Sequence, residues 1–197
     1  MYYPKITRRT SYKTSNRGTY YSNYSEYHDE ISEDCQHRCV YCDILLKENG
    51  GEGMHLDHFR PQKHFPNLSN SPLNLLLACA KCNQLKSDFW PDEKFSKSHF
   101  IDPFSIIRSD HFSVKNTGEV EGLSSQSQYT IELLSINRPS RRTIRKTRAV
   151  KQNAMEVIEY IEQELEKLAN GSITDAASRL PPLCIALSEV RHILSSL

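Results

Sequence analysis

Cys39-Val40-Tyr41-Cys42 and Cys79-Ala80-Lys81-Cys82 bracket the stretch on which the fold turns, and between them stands His55-Leu56-Asp57-His58-Phe59-Arg60-Pro61. A two-residue spacer lets one turn present both sulfurs to one ion, so the two pairs supply what a tetrahedral zinc needs. The insert from Asp43 to Ala78 is longer than a turn requires and must carry structure of its own. Cys35 leaves a second pairing open, Cys35 with Cys39, although its three-residue spacer is the less common zinc knuckle.

Within the insert, Glu48-Asn49-Gly50-Gly51-Glu52-Gly53 is turn chemistry. It predicts a strand over Met54–Phe59, which Pro61 ends because proline cannot donate to a ladder. Alternation puts Leu56 and His58 on one face and His55 and Asp57 on the other. Asp57 and His58 can therefore serve one site only where the strand bends or ends. Residues 60–73 read as an irregular loop, Asn74 opens a second strand over Leu75–Ala78, and a helix from about Ala80 to Asp88 follows. That helix carries Asn83 and Lys86 on one face, looking back at Asp57 and His58.

On Asp57-His58, Asn74 and Asn83, the stretch from about residue 35 to residue 90 resembles the HNH endonucleases, with Asn83 in place of the commoner histidine, an HNN variant. The resemblance implies an α+β chain with a ββα-metal core, a four-cysteine zinc site and a mainly helical C-terminal region. It implies phosphodiester hydrolysis, with DNA the expected substrate. His58 would activate water, and Asn74 would hold the His58 ring through its side-chain carbonyl. Asp57 and Asn83 would bind a catalytic Mg²⁺ or Mn²⁺. Cys39, Cys42, Cys79 and Cys82 would close around a structural Zn²⁺ with no open position for water. Arg60 and Lys86 are expected as nucleic-acid contacts, while His55 and His64 are left outside the catalytic set.

Composition narrows the class. The 197 residues are 38% hydrophobic and carry a net charge of +1, too little to coat nucleic acid over the whole surface. No apolar run reaches the roughly 20 residues of a membrane span, and Met1-Tyr2-Tyr3-Pro4-Lys5 lacks a signal-peptide core. A cytoplasmic protein without a membrane partner is expected, and a reducing compartment favours thiolate–metal chemistry over disulfides. Cys184, within an apolar run, is expected as a small core side chain.

Four segments are expected: an arm and short helix over 1–34, the nuclease core over 35–98, a connecting hairpin region over 99–126 and helices over 127–197. The arm mixes Lys5, Arg8, Arg9, Lys13 and Arg17 with tyrosines, and Glu26, Asp29, Glu30, Glu33 and Asp34 then reverse the sign. Such an arm either stacks on bases and holds phosphate, or docks on the domain. Asn116-Thr117-Gly118 marks a hairpin turn. A helix over Tyr129–Ile136 precedes a long one from Pro139 to about Leu168, with Ile144, Met155, Ile158, Ile161, Leu165 and Leu168 on one stripe. Asn170-Gly171 ends it, and a last helix over Ile173–Leu197 meets a candidate break at Pro181-Pro182. At the start of the long helix, Arg138, Arg141, Arg142 and Arg145 oppose the helix dipole and call for an anion. Phosphate backbone is the expected one, against an acidic partner surface or a solvated face.

Tyr129-Thr130-Ile131-Glu132-Leu133-Leu134-Ser135-Ile136-Asn137-Arg138-Pro139, with His58-Phe59-Arg60-Pro61 and Ile101-Asp102-Pro103, resembles the nuclease subunits of Septu and certain retron anti-phage systems. This second resemblance implies an ABC-type ATPase partner. Two other classes compete. A zinc nucleobase deaminase fails because Asp57 stands where glutamate is required and Cys39 and Cys42 would have no task. A non-catalytic zinc module that binds nucleic acid or protein would leave Asp57, His58, Asn74 and Asn83 without a common purpose.

Overall fold

The computed structural model divides into two compact units, Met1–Ile144 and Arg145–Leu197. Residues 2–91, 100–170 and 173–196 are described. The expected segment boundary at 98/99 and the expected stop at Gly171 lie outside them.

In the first unit the N-terminal arm is packed into the core. Tyr3 and Ile6 are wholly buried, Tyr3 stacks on Phe112 at 4.9 Å between centroids, and its hydroxyl donates to the Tyr41 carbonyl at 3.1 Å. The sign reversal seen in the sequence closes on itself. Arg9 reaches Glu30, Glu33 and Asp34 at 3.1, 2.8 and 2.9 Å, and Glu33 and Asp34 end helix α1 (His28–Asp34). Arg8 lies over the Phe104 ring at 4.0 Å and donates to the carbonyls of Pro72 and Leu75. These two arginines of the arm thus have partners within the chain.

Strand β1 (Met54–His58) pairs antiparallel with β2 (Leu75–Cys79), in the register Met54↔Cys79 to His58↔Leu75. Every β2 side chain is buried, as a five-residue apolar run between packed layers should be, and burying each leucine contributes about 1.5–3 kcal/mol. Helix α2 (Ala80–Lys86) follows β2 directly and completes a ββα core. Beyond it, β3 (Phe112–Val114) and β4 (Val120–Gly122) form an antiparallel hairpin, with Gly118 at φ +77° in the turn, a conformation glycine adopts freely. Helix α3 (Ser125–Leu133) is capped by Ser124, whose hydroxyl accepts from the Ser127 amide. It lies so close to Gly122 that a Cβ there would come within 2.5 Å of the Gln128 amide nitrogen. Helix α4 (Pro139–Ala169) opens with a proline at its first position, where a missing N–H costs nothing.

In the second unit, α4 continues and α5 (Ile173–Ser195) follows. The buried apolar residues of α4 here are Ala154, Ile161 and Leu168, at seven-residue intervals, with Ile158 and Leu165 half-buried beside them. Met155, expected on that stripe, is exposed because it lies one residue, about 100° of helical rotation, from Ala154. Glu164, buried, takes ion pairs from Lys167 at 2.6 Å and from Arg179 of α5. Pro181 and Pro182 do not break α5, which runs through both. Its inward stripe is Leu183, Ala186, Leu187 and Val190, so Cys184, expected in the core, is turned away and exposed.

Candidate active site and metal centre

Two sites are built on the same ββα frame. The first is sulfur. Cys39 and Cys42 flank a turn in which the Cys39 carbonyl accepts from the Asp43 amide at 3.0 Å, with Asp43 at φ +60° and its carboxylate held by Arg38 at 3.0 Å. Cys79 ends β2, and Cys82 lies in the first turn of α2. The four sulfurs are buried, lie within 4.8 Å of one another, and form no disulfide. Tetrahedral zinc with Zn–S of about 2.3 Å has sulfur–sulfur edges of about 3.8 Å. The Cys42–Cys79 separation is 3.8 Å. Donor set, spacing and burial therefore fit one tetrahedral ion. Cys35 stands outside the cluster: it accepts the Leu77 amide at 3.4 Å, and burial pushes its thiol up to about 12. The pairing is Cys39 with Cys42.

The second site is an open groove of about 870 Å³, lined by Asp57, His58, Asn83, Tyr24, Lys63 and Lys81 among others. Side chains expected on opposite strand faces line it together, His55 and Asp57 with Leu56 and His58, along β1 up to its end at His58. Asn83 comes from the middle of α2, and its amide makes no side-chain hydrogen bond to the protein among the described residues. Asp57 is only 4% exposed. Its Oδ2 accepts from the Tyr41 hydroxyl at 2.5 Å, and its Oδ1 accepts from Lys86 Nζ at 3.2 Å. Burial pushes the Asp57 carboxyl up, and burial pushes the Lys86 amine down, each against the attraction of the other.

His58 Nε2 lies 2.8 Å from the Ser69 carbonyl. A carbonyl only accepts, so Nε2 carries the proton and Nδ1 keeps the lone pair. Tyr24 meets the ring edge-on at 4.7 Å. Burial lowers the His58 pKa from its ordinary value, leaving the ring neutral at pH 7.

Several expected roles are relocated. Asn74 makes no hydrogen bond to the His58 ring among the described residues. Its Oδ1 accepts the Arg60 amide at 2.9 Å, and its Nδ2 donates to the Arg60 carbonyl at 3.0 Å, so it clamps the loop that carries Ser69. Lys86, expected at the surface as a phosphate contact, is wholly buried, and its ammonium also donates to the His58 carbonyl at 2.6 Å. Of the expected arginines, Arg60 is exposed beside Phe65, and Arg142 is exposed. Arg141 donates to the Asn49 side chain at 3.0 Å, and Arg145 is buried. Arg138 points at the cysteine sulfurs. Tyr41, Ser69 and Tyr24 are site residues that sequence reasoning missed. Tyr41 gave a signal in sitting inside the first knuckle, and Tyr24 in being one of the arm's tyrosines, while Ser69 gave none.

The HNH endonuclease family model matches residues 39–89, which contain the four cysteines and Asp57, His58, Asn74 and Asn83. The chain is 31% identical over 111 residues to Septu protein PtuB of Bacillus thuringiensis, covering 56% of this chain and 41% of that protein. It is 32% identical over 57 residues to Protein ea31 of Escherichia phage lambda, covering 29% of this chain and 18% of that protein. It thus spans less than half the length of either relative. No helix among the described residues is long and apolar enough to cross a membrane. The groove and the sulfur cluster thus stand in the part of the chain that is similar to HNH endonuclease domains.

Proposed function

We propose that the protein hydrolyses phosphodiester bonds in nucleic acid, DNA being the expected substrate, with a divalent cation as cofactor. The observation that carries this reading is one groove lined by an imidazole held through Nε2 by the Ser69 carbonyl, a buried carboxylate and an uncommitted amide side chain. His58 Nδ1 takes the proton of the attacking water, and the Ser69 carbonyl keeps the ring in the tautomer that leaves Nδ1 free. Asn83 offers an uncommitted hard oxygen donor that suits Mg²⁺ or Mn²⁺, and Asp57, which lines the groove with its oxygens accepting from Tyr41 and Lys86, would join it by exchanging Lys86 for the ion on Oδ1. When bound, that ion neutralises charge on the scissile phosphate and the departing oxygen. Tyr41 fixes the Asp57 carboxylate from inside the core, and Asn74 holds the loop against which His58 is oriented. Arg60, Arg142 and Lys81 are exposed cations available to the phosphate backbone. The four cysteines hold Zn²⁺ as a structural ion.

Likeness to Septu protein PtuB supports a place in anti-phage defence, and an ABC-type ATPase partner is what the resemblance of Tyr129–Pro139 to Septu nuclease subunits implies. The test is cleavage of a panel of plasmid, linear and single-stranded DNA and RNA with Mg²⁺ or Mn²⁺, alone and with any ABC-type ATPase encoded beside it. Cleavage that EDTA abolishes and Asn83→Ala reduces supports the proposal. Absence of cleavage under every condition favours the binding module.

A further inference from the structure

We propose that Arg138 is the counter-cation of the four-cysteine metal centre, a positioning residue that keeps the thiolates charged, metal-bound and unreactive. The sequence suggested a phosphate contact for it, and the structure turns it inward. Its Nη2 lies 3.5 Å from Cys79 Sγ, 3.8 Å from Cys82 Sγ and 3.9 Å from Cys42 Sγ, and its Nη1 lies 3.8 Å from Cys82 Sγ. One guanidinium thus bridges three of the four sulfurs and reaches both knuckles.

Its aim is set from behind. Leu134 and Ile136 are wholly buried, and Nη1 also donates to the carbonyls of Leu134 and Ser135 at 3.4 and 3.2 Å. Ser135, at φ +46°, turns the chain between α3 and α4. A planar fork with several donors in fixed directions can span sulfurs on two segments, which a single ammonium does less well.

The charge requires such a partner. Four thiolates around one divalent ion leave a net charge of −2, and an uncompensated buried charge is costly. Donation to thiolate sulfur also withdraws electron density, so it lowers nucleophilicity towards electrophiles and favours retention of the ion. The anion that the arginine-rich start of α4 called for is, at Arg138, the protein's own sulfur. A second consequence is mechanical: the root of α4 is fastened to the metal centre, and loss of the ion loosens both. This inference does not depend on the nuclease reading.

Zinc-loaded protein is titrated with a chromogenic chelator and, separately, challenged with N-ethylmaleimide while released zinc is followed. Arg138→Gln keeps much of the volume without the charge, Arg138→Lys keeps the charge, and Arg142→Gln is the exposed control. The expected result for Arg138→Gln is a zinc affinity roughly 10–100-fold weaker, the range for groups that support metal ligands, with faster release under maleimide. Arg138→Lys retains most of the affinity, and Arg142→Gln matches wild type. Wild-type affinity and release in Arg138→Gln overturn the proposal, as does an equal loss in the Gln and Lys variants, which would show a packing effect. Should Arg138→Gln fail to fold, Arg138→Lys decides: near-wild-type affinity supports the charge role, and a failure to fold or hold zinc overturns it. A wild type that binds no zinc overturns it as well.

Discussion

The sulfur cluster and the groove share one frame, β1, β2 and α2, yet they treat their polar groups in opposite ways. The cluster is closed: four buried sulfurs face one another and a cation covers them from outside. Four sulfurs around one ion would leave no open position for water, so the contribution proposed for it is to the fold. The groove is open, and only its aspartate is sealed, by Tyr41 on one oxygen and Lys86 on the other. Cys79 ends the strand whose first residue, Leu75, pairs with His58. The distance between a structural site and a chemical one is here the length of a five-residue strand, and Tyr41, between two of the cysteines, touches both.

If the division is real, mutations on the two sides must fail differently. The largest effect is expected on the sulfur side. Structural zinc in small metal-folded peptides is worth about 10–16 kcal/mol, as much as the whole stability of many domains, about 5–15 kcal/mol. Cys42→Ser or Cys79→Ser should therefore unfold the core, seen as loss of the cooperative thermal transition together with loss of zinc. A Cys79→Ser protein that melts like wild type would dissolve the distinction.

A smaller effect is expected where the two sites touch. Tyr41→Phe leaves the buried Asp57 Oδ2 without its donor, a loss of about 1–3 kcal/mol. Denaturant unfolding should show that loss with zinc content unchanged, and binding of Mn²⁺ by calorimetry should weaken. Unchanged stability and unchanged Mn²⁺ binding would make Tyr41 a bystander.

The smallest effect is a pH dependence. The folded His58 pKa lies below its ordinary value of about 6.5 because burial disfavours the charged ring. The charged groups facing it pull in opposite directions, Asp57 raising and Lys86 lowering its pKa. A depressed folded pKa gives stability that is present above 6.5 and lost as pH falls through the folded value. Activity that needs neutral imidazole follows the same sign, with an acid limb below 6.5. A limb centred above 6.5 that His58 substitution removes would contradict this.

What could be read in advance follows from the range of the interactions. Both knuckles, the strand ended by Pro61 and the pairing of opposite charges along the arm and α1 depend on spacing or on simple sign, and these are written in the chain. The partners of long polar side chains are not. Lys86 shares a helix face with Asn83, which places it near Asp57, but nothing local says that the ammonium is sealed from water. Arg138 reads as one of a run of cations, and its target comes from residues 56 or more positions away. Asn74 opens β2 as expected, yet its amide serves the Arg60 backbone, because the loop from Arg60 to Ser69 folds over it and takes both its polar atoms. Pro181 and Pro182 were candidate breakers, but α5 carries both within one continuous helix.

The central claim is that His58 does chemistry in a groove whose fold it does not support. The most direct test is the rate of divalent-dependent nucleic-acid cleavage by His58→Ala against wild type, on protein checked for equal zinc content and equal melting. The account predicts a loss of about 10²–10⁴-fold with fold and zinc intact. Cleavage by His58→Ala at the wild-type rate would contradict it.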